Sequence, residues 1–262
     1  MNLSNFMCRS SSCFSRLTWG HWASRVGAIA AATLLAHGSA QAWNPGHLQQ
    51  LLITNECAGC DLSQAVLASA RLNQTNLTRA NLAGAQLQES SLLSGNLMGA
   101  NLSQADLSRA TLVGADLTQA NLENALLIGT NLSRSILTQA RLPGANLQGA
   151  QMTEVRLFEA DLQGSGLQEA NLLRSNLSRV NLDEADLTQA DLFQVNLVRA
   201  SLRGANLTGA DLRAARLARA DLQGANLTDA KLQDAGVQGA NLSEAIFCNT
   251  QMPNGQINNS GC

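Results

Sequence analysis

A five-residue repeat runs through most of the chain and limits the folds that it can adopt. From Cys60 to Phe247 the repeat continues without an insertion or deletion and gives 38 units, with central positions from 62 to 247. Leu is central in 35 units, and Met152, Val237 and Phe247 are central in the others. Two residues before the centre, 27 of 38 positions are Ala, and directly before it 22 of 38 are Asn or Asp. A repeat this regular is the first indication of a solenoid.

Neither an α-helix nor a flat β-strand keeps these Leu residues on one side. In an α-helix, a five-residue step turns the side chain by about 500°, so successive Leu residues would drift by about 140°. In a strand the side-chain period is two, so Leu residues five apart would alternate between faces. The chain must therefore turn once per unit and return each Leu to a common interior. An aromatic content of 3%, with no Tyr, fits a thin core filled by Leu and Ala.

The repeated pattern Ala-(Asn/Asp)-Leu-x-x, as in Ala80-Asn81-Leu82-Ala83-Gly84, resembles the pentapeptide-repeat proteins over residues 60–247. The resemblance implies an all-β fold, a right-handed quadrilateral β-helix with four units per coil and one unit on each face. At about 4.8 Å per stacked layer, the predicted rod would be about 45 Å long.

Four faces should produce a further period of 20 residues, and the exceptions to Ala fit it. After Cys60, ten of the positions two before a centre carry another residue. Six of these ten share a single face, where about a quarter would fall by chance. The six are Thr75, Gly95, Ser135, Val155, Ser175 and Val195.

The sequence divides into four segments, of which residues 1–42 are a predicted signal peptide. Arg9, Arg16 and Arg25 are its only charged residues, an apolar stretch follows at 26–36, and Ala-Gln-Ala precedes the expected cleavage site. The apolar stretch is too short to span a bilayer comfortably, and an uncleaved anchor is the alternative. The other predicted segments are an N-terminal cap at 43–59, a pentapeptide-repeat β-helix at 60–249 and a C-terminal tail at 250–262.

Capping elements are expected at both ends, because a solenoid end leaves a layer of backbone groups unpaired. Asn44 followed by Pro45 predicts a short amphipathic helix that reaches Ile53 and lies on the first coil. Residues 250–255 predict a turn that ends the repeat. Both ends resemble those of cyanobacterial family members. Together with the predicted signal peptide, this resemblance implies export to the periplasm or the thylakoid lumen.

Four cysteines remain after the predicted cleavage, Cys57 and Cys60 near one end and Cys248 and Cys262 near the other. An oxidising compartment favours disulfides over free thiols. The rod length implied by the resemblance separates the two ends, and leaves Cys57–Cys60 and Cys248–Cys262 as the pairs within one molecule. Two alternatives stay open: Cys57 and Cys60 stay reduced, or a bridge joins two molecules.

Residues suited to catalysis are scarce in the predicted mature chain. His47 is its one histidine and lies in the predicted cap, where a structural role is expected. Ser165 lies in a Gly-Ser-Gly sequence but occupies an inward Ala position without a general base. Cys57 and Cys60 supply half of a zinc site at most. We therefore expect no catalytic residue, no cofactor, no metal site and no enzyme.

Sorting the charges by a 20-residue period gives the predicted rod two different halves. The two adjacent faces centred on positions 92 and 97, counted modulo 20, carry 11 basic and 6 acidic residues, and we call them the basic side. The other two faces carry 3 basic and 12 acidic residues and form the acidic side. Outward apolar residues also concentrate on the basic side, where they either form an interface or only shield the β-ladder. The candidate interface comprises Leu93, Met98, Phe158, Leu173, Phe193, Val198, Arg174, Arg179, Arg199 and Arg219.

These features indicate a non-catalytic binding or structural scaffold that presents its surfaces to a protein partner or to a second copy. With a net charge of −2, nucleic acid is not the expected partner, and no stable membrane insertion is expected after signal cleavage. An alternative is a DNA mimic that binds topoisomerase or gyrase through its acidic side, as some family members do, although gyrase is cytoplasmic. A CxxC thiol-redox protein is a third interpretation and predicts a reactive thiol at Cys57 or Cys60.

Overall fold

The computed structural model, which describes residues 44–262, is a parallel solenoid with coils of 20 residues. Single-residue bridges join the residue before each centre to its equivalent one coil later, as in Asp61–Asn81. The N–H of Leu62 donates to the carbonyl of Asn81 at 2.7 Å, and the N–H of Asn81 donates to the carbonyl of Cys60 at 2.8 Å. Four units therefore form one coil. The coils contain isolated bridges instead of extended strands, because the chain turns again after one bridged residue per face.

A tight turn follows each central residue and forms the corner of the coil. The N–H of Ala65 donates to the carbonyl of Leu62 at 3.0 Å, and Gln64 between them has a φ of 59°. A positive φ at the third residue is the geometry of a type II turn. The equivalent residue of every unit from 60–64 to 245–249 is left-handed, and none of these residues is β-branched or proline. The left-handed conformation is costly for such side chains, so only glycine and unbranched residues occupy this position.

The interior is a column of Leu and Ala side chains. The central residues from Leu62 to Leu232, and the Ala residues two positions before them, are almost completely buried. Ser or Thr at an Ala position usually donates its hydroxyl to a backbone carbonyl, as Thr75 does to Leu72 at 2.8 Å. These hydroxyls therefore avoid the cost of a buried polar group without a partner. Among the described residues, Ser90 is the exception, since its buried Oγ has no partner.

The Asn or Asp before a centre holds the turn that follows. Its Oδ1 accepts a hydrogen bond from the backbone N–H two residues later, as Asn76 does from Thr78 at 3.2 Å. The backbone ladder does not use that N–H, so the side chain supplies its partner. Amide groups also bond along the rod, as where Asn101 donates to Asn81 Oδ1 at 3.1 Å. These contacts explain the preference for Asn and Asp at this position.

Helix α1, Pro45–Thr54, covers the first coil and coincides with the predicted cap. Asn44 caps it, with Oδ1 accepting from the N–H of Gly46 at 2.9 Å. Proline suits the first helical turn, where its missing N–H leaves no bond unmade. The apolar side of the helix packs on the coil through Leu48, Leu51 and Leu52.

Asn44 and His47 also satisfy the exposed backbone edge of the first coil at Asp61. The Nδ1 atom of His47 accepts from the N–H of Asp61 at 2.9 Å, and the N–H of Asn44 donates to the carbonyl of Asp61 at 3.2 Å. In later coils the equivalent N–H and carbonyl pair with the coil beneath, as at Asn81. The cap therefore supplies the hydrogen-bond partners that a preceding coil supplies elsewhere in the rod.

The regular coil begins one unit before the predicted boundary. Residues 55–59 already follow it, since the N–H of Cys57 donates to the carbonyl of Asn76 at 2.8 Å, as a central Leu does in later units. Cys57 thus occupies a central inward position, and Cys60 occupies the Ala position of the next unit. Both belong to the interior of the rod, where they are buried.

The coil also continues one unit further than predicted at the other end. The N–H of Leu232 donates to the carbonyl of Gln251 at 2.7 Å, so residues 250–254 form another unit. Strand β1, Thr250–Gln251, lies in this unit and pairs antiparallel with β2, Ile257–Asn258. The turn predicted at 250–255 lies at the end of this unit, where the N–H of Gly255 donates to the carbonyl of Met252 at 2.8 Å.

The C-terminal tail covers the last coil only in part. The N–H of Gly261 donates to the carbonyl of Phe247 at 2.7 Å, which holds the tail across one face. Val237 and Leu242, two central residues of the last coil, are half-buried, unlike their equivalents further down.

The predicted signal peptide, residues 1–42, lies outside the described residues. Within 44–262, no helix has both the length and the apolar character that crossing a bilayer requires.

Candidate binding surface

The structure pairs the four cysteines of the predicted mature chain within each end of the rod. The Sγ atoms of Cys57 and Cys60 lie 2.06 Å apart, and those of Cys248 and Cys262 lie 2.19 Å apart, both at bonding distance. The first pair is buried beneath α1, whereas Cys262 is exposed. A thiol at Cys57 would therefore have no access to a substrate in solution.

The residues considered for catalysis have structural contacts. The Nδ1 atom of His47 is engaged with the backbone of Asp61, as described above. Ser165 is buried and its Oγ donates to the carbonyl of Leu162 at 2.7 Å, which is the turn contact made by other inward hydroxyls. In the described part of the chain, no three His, Cys, Asp or Glu side chains come together as a metal site would require.

The predicted apolar interface residues fall into two groups along the basic side. Leu93 and Met98 are exposed to 36% and 40%, near the N-terminal end. Further along, the 20-residue register places Thr118 and Thr138 between Met98 and Phe158 in the same column. The second group is half-buried and consists of Phe158, Leu173, Phe193 and Val198. The apolar surface is therefore two patches and not one unbroken stripe.

Arginine side chains cover both phenylalanines of the second group. The guanidinium carbon of Arg179 lies 5.6 Å from the ring centre of Phe158, and that of Arg213 lies 5.6 Å from the ring centre of Phe193. These are cation–π distances, which favour an arginine lying flat over the ring. Glu159 accepts from Arg179 at 3.0 Å and steadies the first of these stacks.

A groove of about 380 Å³ crosses four successive coils at this patch, and we call it the arginine groove. Residues 20 apart line it, because each coil contributes the same position of the unit. The lining comprises Phe158, Ser178, Arg179, Val198, Arg199, Arg216, Ala218 and Arg219. Five predicted interface residues meet here: Phe158, Arg179, Val198, Arg199 and Arg219. Arg216 also lines the groove, although it was not among the predicted interface residues. The 20-residue register places it on the basic side, so the sequence alone could have indicated it.

Three arginines of the groove have no acceptor within residues 44–262: Arg199, Arg216 and Arg219. In contrast, Arg174 donates to Gln194 Oε1 at 3.2 Å, outside the groove. The arginine groove therefore combines an apolar floor with three guanidinium groups that are free to bind an anion.

Ion pairs leave the charge difference between the two sides unchanged. The basic side holds Arg134–Glu154, Arg179–Glu159 and Arg213–Asp211, and the acidic side holds Arg109–Glu89, Arg141–Glu123 and Arg203–Asp221. Each pair removes one charge of each sign from its own side. All three basic residues of the acidic side are engaged in this way, so its surplus carboxylates stay uncompensated. Exposed pairs of this kind contribute little to stability.

Two carboxylates on the basic side are held ionised by their neighbours. Hydrogen bonds from Gln139 and then Arg179 lower the pKa of Glu159. The guanidinium of Arg213 lowers the pKa of Asp211 through hydrogen bonds, against the opposing effect of burial. Neither carboxylate is raised toward neutrality, as a general acid would require.

A solenoid of four-unit coils, with Leu and Ala inside and a polar, charged surface, defines a class of repeat protein built for contact rather than for an enclosed active site. The family model for pentapeptide repeats matches the chain in eight copies, within residues 56–92, 96–134, 120–157, 156–194, 196–234 and 225–260. Because these matches cover most of the sequence, the chain belongs to the pentapeptide-repeat family.

Solved structures of the family resemble this chain to different degrees. HetL, a pentapeptide repeat protein involved in heterocyst differentiation regulation in the cyanobacterium Nostoc sp., is 35% identical, with a TM-score of 0.55, over 78% of this chain and 89% of HetL. QnrB1, a plasmid-mediated fluoroquinolone resistance protein, is 20% identical, with a TM-score of 0.48, over 61% of this chain and 90% of its own.

A pentapeptide repeat protein of the Arabidopsis thaliana thylakoid lumen is 37% identical over 37% of this chain and 64% of its own, with a TM-score of 0.23. No curated protein matches the sequence.

Proposed function

We propose that this protein is an exported, non-catalytic scaffold whose basic side docks a protein partner. The observation that carries the proposal is the second apolar patch, where arginines stack on Phe158 and Phe193 beside an open groove. Aromatic and arginine side chains are the residues most enriched at the centres of protein interfaces. The rod supplies a rigid backbone for them, so little conformational entropy is lost on binding.

Removing both rings tests this role. Phe158→Ser together with Phe193→Ser should weaken partner capture at least about tenfold and leave the rod folded, because both residues face outward at turns. The matched control is Leu126→Ser with Ile128→Ser, which removes two exposed apolar side chains, 41% and 40% accessible, from the acidic side. Tagged variants would be compared by quantitative pull-down from the native compartment, and sedimentation velocity would show whether the partner is a second copy. Equal capture by both variants would contradict the proposal.

Export is supported by the sequence of residues 1–42 and agrees with cysteines placed at bonding distance at both ends. We infer that both pairs are disulfides in the mature protein, and that the rod winds right-handed as family membership implies. Mass spectrometry of the native protein should find an N-terminus at Trp43 and no free thiol. A cytoplasmic protein that begins at Met1 would contradict export and favour the DNA-mimicking alternative.

A further inference from the structure

We propose that the arginine groove binds a short acidic peptide segment of the partner, with carboxylates seated on Arg199, Arg216 and Arg219. This inference rests on the proposed function and assigns the chemistry of the partner at one site. Three observations support it: the three arginines lack acceptors within residues 44–262, apolar residues line the groove beside them, and the groove extends over four coils.

Two of these guanidinium groups, those of Arg199 and Arg219, share a column of the rod with Arg179 and repel like charges there in the absence of a ligand. Arg179, Arg199 and Arg219 occupy one position of three successive coils, so their backbones are about 4.8 Å apart. Arg179 has Glu159 as a partner at 3.0 Å, but Arg199 and Arg219 have none in residues 44–262. Elsewhere the rod pairs an arginine with an acid one coil away, as in Arg109–Glu89. A bound carboxylate would supply the missing partner.

The floor of the groove strengthens these contacts. Phe158, Val198 and Ala218 line the groove together with the arginines and give it apolar surface against which a bound anion would lie. A lower local dielectric makes each charge-assisted hydrogen bond stronger than the same bond in water. The hydroxyl of Ser178 is not available as a donor to the ligand, since it donates to Asn176 Oδ1 at 2.7 Å.

The size of the groove and its surroundings favour a short peptide. Four coils span about 14 Å, which an extended peptide covers with about four residues at 3.3 Å per residue. A longer polyanion that continued along the rod would leave the arginines, because the column of Arg179, Arg199 and Arg219 continues with Glu159 at one end and Gly239 at the other. Neither residue offers a positive charge to a nucleic acid strand that extends past the groove. The geometry thus selects a local acidic segment.

Binding of fluorescein-labelled hexaglutamate, followed by fluorescence anisotropy at low ionic strength, tests the site directly. Arg199→Gln, Arg216→Gln and Arg219→Gln combined should weaken binding at least about 30-fold, because all three carboxylate partners are lost. The matched control combines Arg71→Gln, Arg79→Gln and Lys231→Gln, which removes the same charge from the basic side outside the groove. This control should change affinity less than about threefold. Circular dichroism of both variants verifies that the rod is folded.

Three results would overturn the inference. The first is no binding of hexaglutamate to the wild-type protein, and the second is an equal loss in the two triple variants, which would reflect only overall charge. The third is tighter binding of an eight-residue oligothymidylate than of hexaglutamate. If hexaglutamate does not bind but the double Phe variant still loses its partner, the acidic-peptide inference fails while the proposed scaffold function stands.

Discussion

The residue directly before each central Leu does more for this fold than its half-buried position at the surface suggests. Where this residue is Asn or Asp, its Oδ1 accepts from the one N–H of the turn that the hydrogen bonds between coils leave without a partner. Where that residue is Ser, the preceding coil provides the acceptor. Asn73 Oδ1 accepts from the N–H of Leu93 at 3.0 Å and from the hydroxyl of Ser91 at 2.6 Å. The turn N–H therefore needs a side-chain acceptor, and residues at different sequence positions can supply it.

Asn226 offers a clean test of this role. Its Oδ1 accepts from the N–H of Thr228 at 3.1 Å and from the Thr228 hydroxyl at 2.7 Å. Asn226→Ala should lower the free energy of unfolding by about 1–2 kcal/mol, because the N–H loses its partner. Asn226→Asp keeps the acceptor and should cost less than about 0.5 kcal/mol. Urea unfolding followed by circular dichroism measures both, and an equal loss in the two variants would refute the explanation.

At the scale of elements, the two ends solve the same problem differently. The N-terminal end has helix α1, which bonds to the first coil through its N-cap residue Asn44 and through His47. The C-terminal end has a folded-back tail that pairs along one face and leaves Val237 and Leu242 half-covered. We expect unfolding to begin at the C-terminal end, because fewer backbone groups there are paired and less apolar surface is buried.

The imidazole contact of His47 can be separated from the rest of the cap. His47→Leu removes the acceptor for the N–H of Asp61 and should destabilise the rod by about 1–3 kcal/mol. In His47→Asn, Oδ1 takes nearly the same place as Nδ1, so most of that stability should return. Amide exchange at Asp61 should be fast in the Leu variant and slow in the Asn variant. Slow exchange in both would show that the contact is dispensable.

The buried cysteines occupy positions that the repeat normally fills with Leu and Ala. Cys57→Leu with Cys60→Ala should therefore fold, losing only the crosslink, about 2 kcal/mol in the chain-entropy account of so short a loop. Cys57→Ser with Cys60→Ser should lose more, because it also buries two hydroxyls and leaves space unfilled. Thermal melting compares them. If the Leu/Ala variant were no more stable than the Ser variant, the assignment of Cys57 to a central position would be wrong.

For the whole molecule, the five-residue period predicted a chain that turns once per unit and keeps its Leu residues inside. The family resemblance added four units per coil, and the charges were sorted by the 20-residue period that follows from it. The 20-residue register even contains the partners Arg179 and Glu159, which lie one coil apart. The sequence did not reveal that Cys57 is a central residue, because cysteine breaks the Leu pattern. Column neighbours distinguish Arg179, which has Glu159 one coil away, from Arg199, which lies between Arg179 and Arg219. The stacking of Arg179 on Phe158 depends on side-chain conformations that the sequence does not specify.

Carboxylates along the coils make the stability of the rod depend on acid. Burial opposes the shift at Asp106 and Asp186, but hydrogen bonds from Ser108 and Thr188 outweigh it and lower the pKa of both carboxyls. A lowered folded-state pKa contributes stability above the ordinary Asp value of 3.8, and this stability is lost as the pH falls through the folded value.

Urea midpoints measured from pH 7 down to pH 2.5 should therefore be nearly flat above about pH 5 and fall below about pH 4. Replacing both residues, with Asp106→Asn and Asp186→Asn, should make that fall shallower, because an amide cannot be protonated there. An unchanged acid profile in the double variant would assign the pH dependence to other groups.

The left-handed corner residue leaves the outside of the rod open to change while the inside stays constant. Arg, Glu, Gln and Gly all occupy that position, from Gln64 to Glu244, above the same Leu and Ala interior. Successive coils present it at steps of about 4.8 Å along one line. Outward side chains are therefore spaced at a constant interval along the rod, and a partner that contacts several of them must carry its own groups at multiples of about 4.8 Å.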